Sequence, residues 1–99
     1  MILEVVKLDV MNSKMKEFEN IFNTARQIIK SMNGYISHEL QESISKKNSY
    51  LLLVKRHSFE SPAFGFRKSP EYHELRDVLS PYYQNHVSIW EHYKISGEC

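Results

Sequence analysis

A chain of 99 residues is long enough for one domain and too short for two. At 41% hydrophobic and 25% charged it carries too much apolar surface for a disordered segment. Thirteen Lys and Arg stand against twelve Asp and Glu, leaving +1, so no net field draws it to nucleic acid or anionic lipid.

Ile2 to Val10 reads as a first strand, with Ile2, Val6, Leu8 and Val10 in one register and Leu3 and Val5 in the other. From Lys14 to Met32 the residues Met15, Phe18, Phe22, Ala25, Ile29 and Met32 recur at steps of three and four, which places them on one stripe of a helix. Asn12 or Ser13 is expected to cap its first amides, and Asn33-Gly34 to supply its left-handed stop. Tyr35 to Gln41 reads as a second strand with Ile36, His38 and Leu40 on one side, and a polar loop follows from Ser43 to Ser49. Tyr50 to His57 is the third strand, apolar on both sides through Leu51, Leu52, Leu53 and Val54.

Ser61-Pro62 and Ser69-Pro70 each set a capping hydroxyl before a residue whose fixed φ suits a first helical position, so a split helix is predicted. In its second part Tyr72, Leu75, Leu79, Tyr82 and Tyr83 share a face, and Ser80-Pro81 falls near its end. His86 to Ile95 closes the chain as a strand, Val87, Ile89, Tyr93 and Ile95 alternating with Ser88, Trp90, His92 and Lys94. The order β-α-β-β-α-β defines an α+β, ferredoxin-like domain over residues 1–99, ordered from Ile2 to about Ile95 with a short tail. Its four-stranded antiparallel sheet would have strands one and three in the centre. Both helical segments cover the same side, so the other apolar side is expected to pair with a second copy, sheet against sheet, as a homodimer.

Several chemistries are excluded by what is missing. Gly34, Gly65 and Gly97 lie far apart, so no glycine-rich loop can wrap a phosphate. Cys99 is the lone cysteine, no apolar run exceeds Tyr50 to Val54, and the opening Met-Ile-Leu-Glu does not read as a signal peptide. A cytoplasmic protein with no membrane partner is expected. His86 and His92 would stand about 20 Å apart along a strand. His73 and Asp77 share a wet helix face with no third ligand, so no metal is expected. Glu17, Glu19, Glu39 and Glu42 are read as solvated charges. Phe64-Gly65-Phe66-Arg67-Lys68 echoes an RNA-binding aromatic box but falls in the predicted helical region instead of on strand three, so no nucleic-acid partner is expected. A pocket between sheet and helices is left as the candidate site, with Lys7, Arg56 and Arg76 as cations and Tyr72, Trp90 and His92 beside them.

Leu51 to Arg56, Ser58-Phe59-Glu60, Gly65-Phe66-Arg67-Lys68-Ser69-Pro70-Glu71-Tyr72, Arg76, Leu79, Pro81-Tyr82 and Glu91-His92-Tyr93 together resemble the antibiotic biosynthesis monooxygenase family, whose members form dimeric α/β barrels of ferredoxin-like protomers. The resemblance implies a cofactor-independent monooxygenase acting with O2 on a small aromatic, quinol-like molecule. In that chemistry the bound substrate, as its anion, reduces oxygen itself, and the protein supplies a dry cavity, a cation and a proton relay. Arg56, Arg76 or Lys7 would steady the phenolate, and Tyr72 or His92 would relay the proton. The haem-degrading branch uses an Asn, a Trp and a His at positions that fall on Lys7, Arg56 and Arg76, so haem degradation is not expected. No cofactor is implied. The competing reading is a non-catalytic dimeric module that binds a small molecule or a partner on the same fold.

Overall fold

The computed structural model of the chain describes residues 1–57, 70–84 and 89–97, at 70–72 and 89–90 by backbone alone. Alternation in the first strand, β1 (Ile2–Asp9), turns Glu4, Val6 and Leu8 inward and Lys7 outward. Helix α1 (Met15–Lys30) lays Phe18, Phe22, Ala25, Ile28 and Ile29 on that inner face. Strand β2 (Tyr35–Glu42) and strand β3 (Ser49–Arg56) follow, then helix α2 (Pro70–Leu79) and strand β4 (Ile89–Lys94). The strands assemble in the order β2-β3-β1-β4, with β3 and β4 each pairing antiparallel to β1 and β2 pairing antiparallel to β3. This is the predicted α+β, ferredoxin-like arrangement with the two greasiest strands in the middle. Both helices lie together on one face, where Leu75, Leu79 and Tyr83 join the α1 stripe and Val6, Leu8, Leu52 and Val54 of the sheet in a single core. Each large apolar side chain fully buried there contributes about 1.5–3 kcal/mol.

Three local expectations are corrected. Asn12 and Ser13 do not cap α1, because residues Asn12–Lys14 are already wound into a 3-10 turn and the helix enters from Lys14 without a side-chain cap. Tyr82 and Tyr83 are not on α2. The helix ends at Leu79, Ser80–Tyr82 form a 3-10 turn around Pro81, which cannot donate a helical hydrogen bond, and Tyr83 is extended and bridges to Val10. Ile36 does not share a side with His38 and Leu40. The β2–β3 pairing goes from Tyr35–Arg56 to Ser37–Lys55, so Ile36 is the extra residue of a bulge, and Tyr35 joins His38 on the inner side. The described part of β4 begins at Ile89, and the Ser61-Pro62 helix start, the Phe64–Lys68 segment and Val87 lie outside the described residues. The left-handed stop is present: Gly34 has φ 78°, and its carbonyl accepts from the His57 amide at 2.9 Å.

Candidate functional site on the helix-facing side of the sheet

Glu4 interrupts the inward register of β1 between residues that are otherwise apolar. Its register partner on β4 is His92, and on β3 it stands opposite Val54, two residues from Arg56. Equal parity puts all three polar side chains on the face turned to the helices. Glu4 is 0% exposed and Arg56 7%.

The Arg56 guanidinium donates through Nη1 to Glu4 Oε1 at 2.7 Å, and through Nε and Nη2 to the Asn33 carbonyl at 3.1 and 2.7 Å. One side chain thereby neutralises a buried carboxylate and ties the end of β3 to the turn that follows α1. Glu4 Oε2 has no hydrogen-bond partner among the described residues and lies 3.7 Å from His92 Nε2. Leaving a buried acceptor unsatisfied costs about 1–3 kcal/mol. Burial pushes the Glu4 carboxyl above the usual carboxylate range, against the opposing pull of the Arg56 hydrogen bond and charge. The cluster sets two groups that can carry a proton, the Glu4 carboxyl and the His92 imidazole, beside a fixed positive charge, with the carboxyl buried and the imidazole the more exposed of the two.

The six residues singled out from the sequence do not gather at one place. Arg56 and His92 meet around Glu4. Lys7 projects from the opposite face of the sheet and is exposed, so within one chain it cannot act with Arg56. Arg76 is exposed on α2, 3.7 Å from Asp77. Trp90 pairs with Val6 in the register, and Tyr72 lies on the first turn of α2; both are described by backbone alone. Glu4 escaped the sequence reading. Its signal was a lone charge in the Ile2, Val6, Leu8, Val10 register, matched by Arg56 as the one cation in the Tyr50, Leu52, Val54 register of β3.

Two further polar contacts hold α1 to the sheet. Arg26 Nη1 lies 2.9 Å from His38 Nε2, and Tyr35 Oη lies 2.7 Å from His38 Nδ1. Arginine can only donate, so Nε2 accepts, the ring is neutral, and Nδ1–H donates to Tyr35. Burial lowers the His38 pKa, and the charges of Arg26 and Lys30 lower it further. Tyr50 donates to Glu19 at 3.0 Å, and burial with the Glu19 hydrogen bond and nearby charge pushes its hydroxyl up to about 12. Glu19 is exposed as expected, but as a tether for Tyr50 it is more than a solvated charge.

A four-stranded antiparallel sheet covered on one face by two helices, with an acid–base cluster on that face, defines a ferredoxin-like domain. The chain belongs to the antibiotic biosynthesis monooxygenase family, whose description matches residues 1–78. It is 35% identical over 94 residues to the uncharacterised protein YczJ of Bacillus subtilis, covering 95% of this chain and 98% of that one. Among solved structures, a Bordetella bronchiseptica protein of the same family superposes with a TM-score of 0.82 at 22% identity, covering 94% of each chain. A point mutant of SnoaB, a cofactor-independent oxygenase from Streptomyces nogalater, superposes with a TM-score of 0.76 at 18% identity, covering 98% of this chain and 94% of that one. At such identities the two superpositions establish the fold. Among the described residues no helix is long and apolar enough to cross a membrane.

Proposed function

We propose that the chain is a cofactor-independent monooxygenase that oxidises a small phenolic or quinol-like aromatic with O2. The observation that carries the proposal is the Glu4–Arg56–His92 cluster, titratable groups and a fixed cation set beside the apolar core of the helix-facing side. Such a site suits an aromatic body with a hydroxyl at one end. Loss of the hydroxyl proton leaves an electron-rich anion that reduces O2; one oxygen atom enters the product and the other leaves as water. The protein's part is to bind the ring, exclude water, take the proton and steady the charge. Family membership supports the reaction type, and SnoaB is a cofactor-independent oxygenase of the same fold.

The catalytic unit is proposed to be a homodimer. The outer face of the sheet carries Leu3, Val5 and Leu53 half-buried and Leu51 at 36% exposure, and no described residue of the chain covers it. A second copy laid against that face would remove this apolar strip from water.

An oxygen electrode with a panel of hydroquinones and anthrones tests the activity. Saturable uptake that falls at least about a hundredfold in a folded His92→Phe variant is expected, and no uptake across the panel would overturn the proposal. One observation favours the alternative of a non-catalytic binding module: three donor contacts of Arg56 already serve Glu4 and the Asn33 turn. Aromatic binding without uptake on the same panel would select it.

A further inference from the structure

We infer that the groove between α1 and the β2 edge of the sheet binds a linear zwitterion, an ammonium and a carboxylate separated by a short aliphatic chain. The groove is a cavity of about 190 Å³ lined by Glu19, Phe22 and Arg26 of α1, Leu40 and Glu42 of β2, and Tyr50 of β3. A cavity of ~150 Å³ is already enough to hold benzene. None of these residues belongs to the Glu4 cluster, and the groove lies on the helix side of the sheet, away from the face proposed to pair with a second copy. The inference therefore does not depend on the monooxygenase proposal.

Helix and strand periodicity sort the lining by charge. Glu19, Phe22 and Arg26 stand at i, i+3 and i+7 on one face of α1, and from Glu19 to Arg26 the helix rises about 10 Å. Opposite them Glu42 is the register partner of Tyr50, Leu40 that of Leu52 and His38 that of Val54. At one end Tyr50 donates to Glu19 Oε2 at 3.0 Å. Burial, that hydrogen bond and the charges of Glu19 and Glu42 all push the Tyr50 hydroxyl up, so both carboxylates stand at this end. At the other end the Arg26 guanidinium lies 4.9 Å from the centre of the Phe22 ring and donates through Nη1 to the neutral His38 at 2.9 Å. Its other donors have no hydrogen-bond partner among the described residues. Leu40 lies between the two ends. Among the described residues no ion pair joins Arg26 to Glu19 or Glu42. Opposite charges that line one cavity without meeting leave a place for a molecule that carries both signs. The two carboxylates hold its ammonium, Arg26 holds its carboxylate, and its methylenes lie along Leu40. A simple cation is repelled at the Arg26 end and a simple anion at the Glu19–Glu42 end. An α-amino acid carries its two charges too close together to meet both.

The test is NMR of the full chain, following the Leu40 methyl and Arg26 Nε–H resonances, with 6-aminohexanoate as the probe and hexylamine, hexanoate and glycine as controls. The probe is expected to shift both sets of resonances saturably and to bind at least about tenfold more tightly than any control, the difference made by one hydrogen-bonded charge. Glu42→Gln, at an exposed position, should leave the fold intact and weaken the probe about two- to fivefold. Arg26→Gln should bring its affinity down to that of hexylamine. A control that binds as tightly as 6-aminohexanoate overturns the zwitterion, because one end of the groove would then do all the holding. No saturable shift at millimolar probe overturns the site, as does binding that Glu42→Gln leaves unchanged. Should Arg26→Gln fail to fold once its contact with His38 is lost, the control series on the wild-type protein and Glu42→Gln still decide the question.

Discussion

Replacing Arg56 by methionine removes a buried cation while keeping much of the side chain's length. Glu4 is then a carboxylate with 0% exposure and no permanent counter-charge, only the His92 ring 3.7 Å away, and the Asn33 carbonyl loses both Arg56 donors. Breaking one side of a buried ion pair costs roughly 3–5 kcal/mol. A domain of this size is stable by only about 5–15 kcal/mol. At about 4–8 °C per kcal/mol, the melting temperature should fall by at least ~12 °C. The loss should also depend on pH in a defined direction. Because the Glu4 carboxyl in the folded state lies above its ordinary 4.5, the cost of burying it ionised is full above the folded value and disappears as pH falls toward 4.5. Differential scanning calorimetry of wild type and Arg56→Met at neutral and mildly acidic pH should therefore show a large gap that narrows with acid. The paired change Glu4→Met/Arg56→Met should recover part of the loss and leave only the Asn33 carbonyl uncompensated. A single Arg56→Met variant within about 1 kcal/mol of wild type would refute the reasoning, since it would mean the pair is wet. For the same reason, activity lost in an Arg56 variant says little about catalysis unless the variant is shown to be folded.

Three other outcomes are expected. Below pH 6.5 the wild-type protein should lose stability because burial, with the charges of Arg26 and Lys30, holds His38 neutral: a histidine with a depressed folded pKa contributes fully above its ordinary 6.5, and the contribution disappears as pH falls through the folded value. His38→Gln, which retains an acceptor for Arg26, should flatten that limb in urea titrations, and an unchanged slope would dismiss the clip. Leu53→Asp on the outer face should give a folded monomer by sedimentation, whereas wild type should sediment as a dimer at micromolar concentration; a monomeric wild type would contradict the proposed sheet-to-sheet pairing. Gly34→Ala forces a side chain to φ 78° and should cost about 1 kcal/mol or more in chemical denaturation; no measurable loss would show that the turn relaxes.

The fold was legible because its signals are local and repeated. The α1 stripe from Met15 to Met32, the apolar Leu51–Val54 run and the Gly34 stop each specify one element, and the two-sided apolarity of β1 and β3 ranked them as central. The misplacements came from events of one to three residues: the 3-10 turn at Asn12–Lys14, the bulge at Ile36, and Pro81, which ends α2 before Tyr82. The site was less legible, since residues 4, 56 and 92 are brought together only by register across three strands. Strand parity alone separates Lys7 from Arg56, and that could have been read from Lys7 standing between inward Val6 and Leu8. The Glu4 charge could likewise have been noticed as the break in its register, but its partners depended on knowing that β1 lies between β3 and β4.

The most direct test of the proposed function is a reaction of the chelator-treated, cofactor-free protein with a hydroquinone or anthrone under isotopically heavy oxygen gas, followed by mass spectrometry of the product. One heavy oxygen atom in each product molecule, formed by wild type and not by folded His92→Phe, is the expected result. A product without the label, or no product beyond the uncatalysed background, would contradict it.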